Sequence, residues 1–118
     1  MEKRIAIGLF MIDLLLKYLA IRGDYAVINQ GISFGVKMSS EWLIFVVSAV
    51  IFVWLYRNKM WFILAGGAAN LLSRVVWGGV VDYWNFWGWF SNNLADWMIV
   101  VGAIYALVQY SHEYSNNI

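Results

Sequence analysis

Two aspartates carry the strongest chemical signal in this chain: Asp82, in Val80-Val81-Asp82, and Asp96, in Asn93-Leu94-Ala95-Asp96. They bracket the start of the last apolar segment and the stretch before it. Two carboxylates held close together cannot both ionise easily, so such a pair shares one proton. The ionised member takes a proton from water while the protonated one donates to a carbonyl oxygen, and the roles then exchange. The bland alternative is an interfacial loop residue at 82 and, at 96, an acid favoured by the positive end of a helix.

Two further polar pairs stand inside apolar runs. Asp13 and Lys17 are four apart and share one helix face, with the acid N-terminal to the base. An unpaired charge at membrane depth is costly, so mutual neutralisation is one reading and bracing of a site above the pair is the other. Asn70 and Arg74 are also four apart. Arg74 either snorkels to the interface or reaches a carboxylate or a substrate carbonyl.

The elements that must hold these groups are largely apolar. The 118 residues are 63% hydrophobic and 13% charged, with mean hydropathy +0.66, which excludes an ordinary water-soluble domain. One domain is expected at this length. The net charge of +1 provides no electrostatic case for nucleic acid. There is no Cys, so disulfides, thiol nucleophiles and cysteine metal sites are excluded, and one His, in a polar tail, makes no metal site or triad. Without Pro, no segment is stopped or kinked by that residue.

Four apolar segments are expected as helices: Ile5–Ile21, Trp42–Tyr56, Met60–Trp77 and Leu94–Tyr110. At ~1.5 Å per residue each reaches about 23–27 Å, slightly short of a hydrocarbon core of ~30 Å. Trp42, Tyr56, Trp61, Trp77, Trp97 and Tyr110 stand near their ends as an aromatic belt. The expected fold is an all-α membrane protein of four transmembrane helices with a small β-like outer loop region. The first segment is read as a retained helix, because Asp13 and Lys17 interrupt it and no small-x-small cleavage site follows. Lys3, Arg4, Arg57 and Lys59 lie on one side; Arg22 and Lys37, balanced by Asp24 and Glu41, lie on the other. The positive-inside rule then puts both termini in the cytoplasm. The outer stretches are Arg22–Glu41, β-like at Tyr25–Ile28 with a Gly-rich turn around Asn29–Gly35, and the aromatic Gly78–Asn93. Lys17, Arg74, Asp82, Asp96, Asn29 and Gly31 all fall toward that outer face.

In that order the segments resemble lipoprotein signal peptidase, also called signal peptidase II. Asp13-Leu14-Leu15-Leu16-Lys17 is similar to the family's Asp-x-x-x-Lys. Asn29-Gln30-Gly31-Ile32-Ser33-Phe34-Gly35 is similar to its Asn-x-Gly-x-x-Phe-Gly stretch. Gly66-Gly67-Ala68-Ala69-Asn70-Leu71-Leu72-Ser73-Arg74 resembles Gly-Gly-x-x-Asn-x-x-Asp-Arg. Val80-Val81-Asp82 and Asn93-Leu94-Ala95-Asp96 resemble the Val-x-Asp and Asn-x-Ala-Asp that carry the catalytic acids. The likeness covers nearly the whole chain, which is shorter than typical members, chiefly in the outer loop and tails. Its departures include Ser73 where Asp is usual before Arg74, Ala69 where Gly is common, and Trp97 after Asp96.

The resemblance implies an intramembrane aspartyl endopeptidase of the bacterial inner membrane. It would cut prolipoproteins before a diacylglyceryl-cysteine, with Asp82 and Asp96 catalytic. Asn29, Gly31, Asn70, Arg74 and Asn93 would orient backbone and carboxylates, supported by Asp13 and Lys17. Substrate and membrane lipid are the implied partners, and no metal or other cofactor is required. Two rivals stand beside it: a small proton-coupled exporter using Asp13, and an inactive lipoprotein-binding relative.

Overall fold

The computed structural model describes residues 2–30, 41–86 and 90–118. Gly31, Lys37, Trp87, Trp89 and most of the expected Gly-rich turn lie outside the described residues. Among the described residues there are four helices: α1 (Glu2–Arg22), α2 (Glu41–Arg57), α3 (Trp61–Trp77) and α4 (Leu94–Asn116). Four short strands accompany them: β1 (Val27–Asn29), β2 (Val80–Asp82), β3 (Trp84–Phe86) and β4 (Phe90–Asn92).

The helices coincide with the apolar segments but run further at some ends. α4 continues past Tyr110 through the polar residues to Asn116. Nothing in that stretch breaks a helix, and side-chain bonds one turn apart support it: Gln109 to Tyr105 at 2.8 Å, and Asn116 with His112 at 3.0 Å. α3 ends at Gly78, whose φ of 79° places it in the left-handed region and whose N–H bonds back to the Arg74 carbonyl. Among the described residues, only α4 is by itself long and apolar enough to cross a bilayer. α2 and α3 are apolar but have 17 residues each. α1 has 21 residues but carries Asp13 and Lys17 in its interior.

The stretch between α3 and α4 holds more order than expected from its sequence. β2 pairs antiparallel with β1, setting Val27 opposite Asp82 and Asn29 opposite Val80. β3 pairs antiparallel with β4, Trp84 opposite Asn92, and the Phe86 and Phe90 rings stack at 5.0 Å. Every β2 residue is buried, so Asp82 sits on an interior strand and not in an interfacial loop. Three-residue strands carry little periodic signal, which is why this extension read only as aromatic.

Packing centres on α3, which meets α4 most extensively, then α1 and α2. Small residues make the close approach possible: Gly66, Ala69, Ala95 and Gly102 are all buried. A Cβ on Gly66 would stand 2.5 Å from the Ala95 carbonyl oxygen, so only glycine admits α4 at this distance. The interior is otherwise unusually polar, with Asp13, Lys17, Asn70, Ser73, Asp82, Asn92 and Asn93 buried. The exposed faces of α1, α2 and α4 are lined instead by Ile, Leu, Val, Trp and Tyr side chains, the reverse of a water-soluble domain. An apolar cavity of about 230 Å³, with Lys3, Ala6, Phe10, Tyr56, Trp61 and Ala68 among its lining residues, lies at the other end of α1 and α3 from the buried charges.

Candidate active site

Five of the buried polar side chains, Asp13, Lys17, Asn70, Asn93 and Asp82, are joined in one hydrogen-bonded network. It begins on α1, where the Lys17 ammonium pairs with Asp13, both side chains wholly buried. A buried pair is tolerable only when its remaining donors and lone pairs are also satisfied. Lys17 Nζ accordingly donates to Asn70 Oδ1 on α3 at 2.8 Å. That contact fixes the orientation of the Asn70 amide, whose nitrogen then donates to Asp96 Oδ1 at 2.9 Å.

Asn93 ties the two aspartates together. Its side-chain nitrogen donates to Asp82 Oδ1 at 3.0 Å and also lies 3.2 Å from both Val81 O and Asn70 Oδ1. Its backbone N–H donates to Asp96 Oδ2 at 3.2 Å, and its own Oδ1 accepts from Asp96 N at 2.9 Å. The reciprocal pair is a capping box at the start of α4. Asp96 therefore caps its helix, as the bland reading of an acid at a helix start expects, while its other oxygen faces Asn70. Ser91 Oγ on β4 donates to the second oxygen of Asp82 at 3.1 Å. Both carboxylates are thus held at both oxygens by protein donors.

The electrostatics follow from this enclosure. Asp82 is 2% exposed, and burial pushes its carboxyl up to about 6. The neighbouring Asp96 charge adds to the rise, while hydrogen bonds from Ser91 and Asn93 and the Lys17 charge pull it back. Arg74, half-buried on α3, lies within electrostatic reach of both Asp96 and Asp82. Its sequence position leaves snorkelling and carboxylate contact open, and its partial burial near the two acids is compatible with either.

Two residues essential to this arrangement were not assigned these roles from sequence. Ser73, the departure before Arg74, is wholly buried. Its hydroxyl donates to Gly79 O at 2.8 Å and accepts from Val81 N at 2.9 Å, anchoring β2 one residue before Asp82. Tyr83, next after Asp82, donates its hydroxyl to Asp13 Oδ1 at 2.6 Å and accepts from Leu94 N at 2.8 Å. Burial, and then the bond to Asp13, raise its phenol above the ordinary value, so it stays a neutral donor. The only sequence signal for Tyr83 was a polar-tipped aromatic beside a singled-out acid.

The remaining expected site residues are less central. Asn29 sits on β1 opposite Val80, beside the strand that carries Asp82. Gly31 lies outside the described residues. Among the described residues no group of His, Cys, Asp and Glu is arranged to hold a metal ion.

The profile of the family described as signal peptidase (SPase) II matches residues 5–111. The lipoprotein signal peptidase of Halothermothrix orenii is 34% identical over 87 residues, covering 64% of this chain and 60% of that protein. That of Clostridioides difficile is 31% identical over 95 residues, covering 68% of this chain and 64% of that protein. A solved structure described as a bacterial membrane enzyme superposes with a TM-score of 0.80 at 21% identity, over 97% of this chain and 89% of that one; it is a likeness of fold. The chain spans less than two thirds of the length of the two relatives it is compared with above. Since the profile runs from α1 almost to the end of α4 and takes in every residue of the buried network, this chain belongs to the signal peptidase II family.

Proposed function

We propose that this chain is an aspartyl endopeptidase that removes signal peptides from lipid-modified bacterial prolipoproteins, cutting before the diacylglyceryl-cysteine, with Asp82 and Asp96 as the catalytic pair. The observation that carries this reading is that one residue, Asn93, donates to both carboxylates, from its side chain to Asp82 and from its backbone to Asp96. Family membership supplies the substrate class.

The chemistry follows from the pair. With one proton between them, the ionised carboxylate takes a proton from a water molecule, which attacks the scissile carbonyl carbon. The protonated carboxyl donates to the carbonyl oxygen, and collapse of the tetrahedral intermediate returns a proton to the leaving amine. Asn93 and Asn70 hold the carboxylates in place, and Arg74 tempers their negative charge. Asn29 and Gly31 belong to the substrate side of this reading, next to the strand that bears Asp82.

In this reading residues 1–118 form one domain and all four helices span the inner membrane, with both termini cytoplasmic and the carboxylates toward the outer face. The apolar outer faces of α1, α2 and α4 support lipid as the surrounding solvent. Interfacial Trp and Tyr complete the shorter spans. The signal peptide is an apolar helix with its cut site near the outer interface, and the lipid on its cysteine needs an apolar path between helices.

The exporter alternative needs Asp13 to load and release protons from water. Asp13 is wholly buried and accepts from Lys17, Tyr83 and Ala95 N, which disfavours that role. The deciding experiment is cleavage of a lipidated prolipoprotein by purified protein in lipid. Asp82→Asn and Asp96→Asn are each expected to lower the rate by at least about a thousandfold while the fold is kept. A folded wild-type chain that cleaves nothing returns the reading to an inactive lipoprotein-binding relative.

A further inference from the structure

The first turn of α4, which carries Asp96, is seated by an unusual set of side chains. A helix start leaves its first N–H groups without partners in the helix. Here three successive ones are satisfied by side chains from three different places. Leu94 N donates to Tyr83 Oη, Ala95 N to Asp13 Oδ1, and Asp96 N to Asn93 Oδ1. Tyr83 Oη in turn donates to the same oxygen of Asp13. The phenol hydroxyl therefore uses both its donor and its acceptor capacity, one toward α1 and one toward α4.

Chain position gives this contact its consequence. Tyr83 is covalently next to Asp82, and Leu94 is two residues before Asp96. We propose that Tyr83 is a positioning residue for the carboxylate pair: its hydroxyl clamps the strand end that bears Asp82 to the helix start that bears Asp96, using buried Asp13 as the fixed point. The proposal rests on the reading of Asp82 and Asp96 as the catalytic pair. It extends that reading by giving the Asp13–Lys17 pair a task. Lys17 pairs with Asp13 and fixes its orientation, and Asp13 receives Tyr83 Oη and Ala95 N. A phenylalanine at 83 fills the same space but leaves Leu94 N and one lone pair of Asp13 without this partner. Displacement of one reacting group by about 1 Å is enough to cost up to ~100-fold in rate.

The test compares wild type, Tyr83→Phe, and a chain with 3,5-difluorotyrosine at position 83, all full length and in lipid. The fluorinated phenol keeps the shape but is a stronger donor and a weaker acceptor, so the bond from Leu94 N is weakened selectively. Cleavage of a lipidated prolipoprotein is followed across pH, and the Asp82 carboxyl is titrated directly by carbon-13 resonance. With four aspartates in the chain, Asp82→Asn assigns the signal. The charged groups that act on Asp82 are Asp96 on α4, Lys17 on α1 and Arg74 on α3.

For Tyr83→Phe the expected result is a fall in kcat of about tenfold or more, KM within about twofold, and a downward move of the Asp82 titration as α4 shifts and water enters. The fluorinated chain is expected to move the same way by less, and it decides the matter if Tyr83→Phe does not fold. Unchanged kcat, pH profile and Asp82 titration overturn the proposal even where thermal stability falls, since a merely structural contact changes stability alone. If the wild-type chain cleaves nothing, the functional reading fails separately. The Asp82 titration then decides the positioning role by itself: a shift upholds it and an unmoved carboxyl refutes it.

Discussion

At the residue scale, the central fact is a carboxylate buried among donors. Asp82 holds its proton up to about 6 in the folded chain, against 3.8 for an ordinary aspartate. Between those values the folded state binds more protons than the unfolded one, so stability falls as pH rises through that window and stays lower above it. Asp82→Asn removes this charge and keeps the shape; its amide can still face Asn93 with oxygen and turn its nitrogen to the Ser91 hydroxyl. The variant is therefore expected to raise the thermal unfolding midpoint at about pH 8 and to leave it nearly unchanged below about pH 4. An equal effect at both pH values in detergent-solubilised protein would refute the assignment. At this scale the sequence singled out most of the side chains that the buried network brings together, because acids and amides inside apolar runs are conspicuous. It did not single out Tyr83, because a tyrosine among many aromatics declares nothing until its hydroxyl is seen between Asp13 and Leu94.

At the scale of elements, β2 and the α3–α4 contact do most to set the site. Ser73 bonds both Gly79 O and Val81 N, so Ser73→Ala leaves two backbone groups beside Asp82 without this partner. The expected cost is about 1–3 kcal/mol, with faster amide hydrogen exchange at Val81 as the specific readout. An ionised aspartate, as in the family pattern, accepts from Val81 but has no proton for Gly79 O. Serine is thus a different solution to holding the strand, and its absence of charge does not leave β2 unsupported. The α3–α4 contact makes an independent prediction. Gly66→Ala places a methyl 2.5 Å from the Ala95 carbonyl and 2.9 Å from Ile99, and is expected to destabilise by about 1–3 kcal/mol. Gly8→Ala, with nothing within 4 Å of the new methyl, is expected to change stability by less than about 1 kcal/mol. Chemical denaturation of both variants checks the contrast. The helices were legible because apolar runs are long. Of the strands, β1 overlaps the β-like stretch expected at Tyr25–Ile28; β2, β3 and β4 were not legible, since a three-residue strand is defined by its pairing partner and has too few positions to show a pattern.

For the whole molecule, the telling property is the inversion of its polarity. A cluster of charged and amide groups, Asp13, Lys17, Asn70, Asp82 and Asn93 among them, lies inside, and large apolar side chains lie outside on α1, α2 and α4. The principal extents are 53 × 29 × 27 Å, long enough for α4, about 34 Å at ~1.5 Å per residue, to cross a bilayer core. If all four helices span with both ends inside, a label that cannot cross the membrane should reach Tyr25→Cys only from outside and Ser115→Cys only from inside. The absence of native Cys makes each variant a single-cysteine protein. The reverse labelling pattern would overturn the orientation.

By itself the sequence determined what is set by local composition: helices where apolar runs are long, acids and amides at one end of them, and ordered short motifs that resemble one family. The tertiary structure decided how those groups meet. Asn93 bridges Asp82 and Asp96, Ser73 anchors β2, and Tyr83 joins Asp82's strand to Asp96's helix. The physical reason is that a hydrogen bond needs donor and acceptor within about 3 Å. For partners as far apart in the chain as Asp13 and Ala95, only the packing of α1, α3 and α4 brings that distance about.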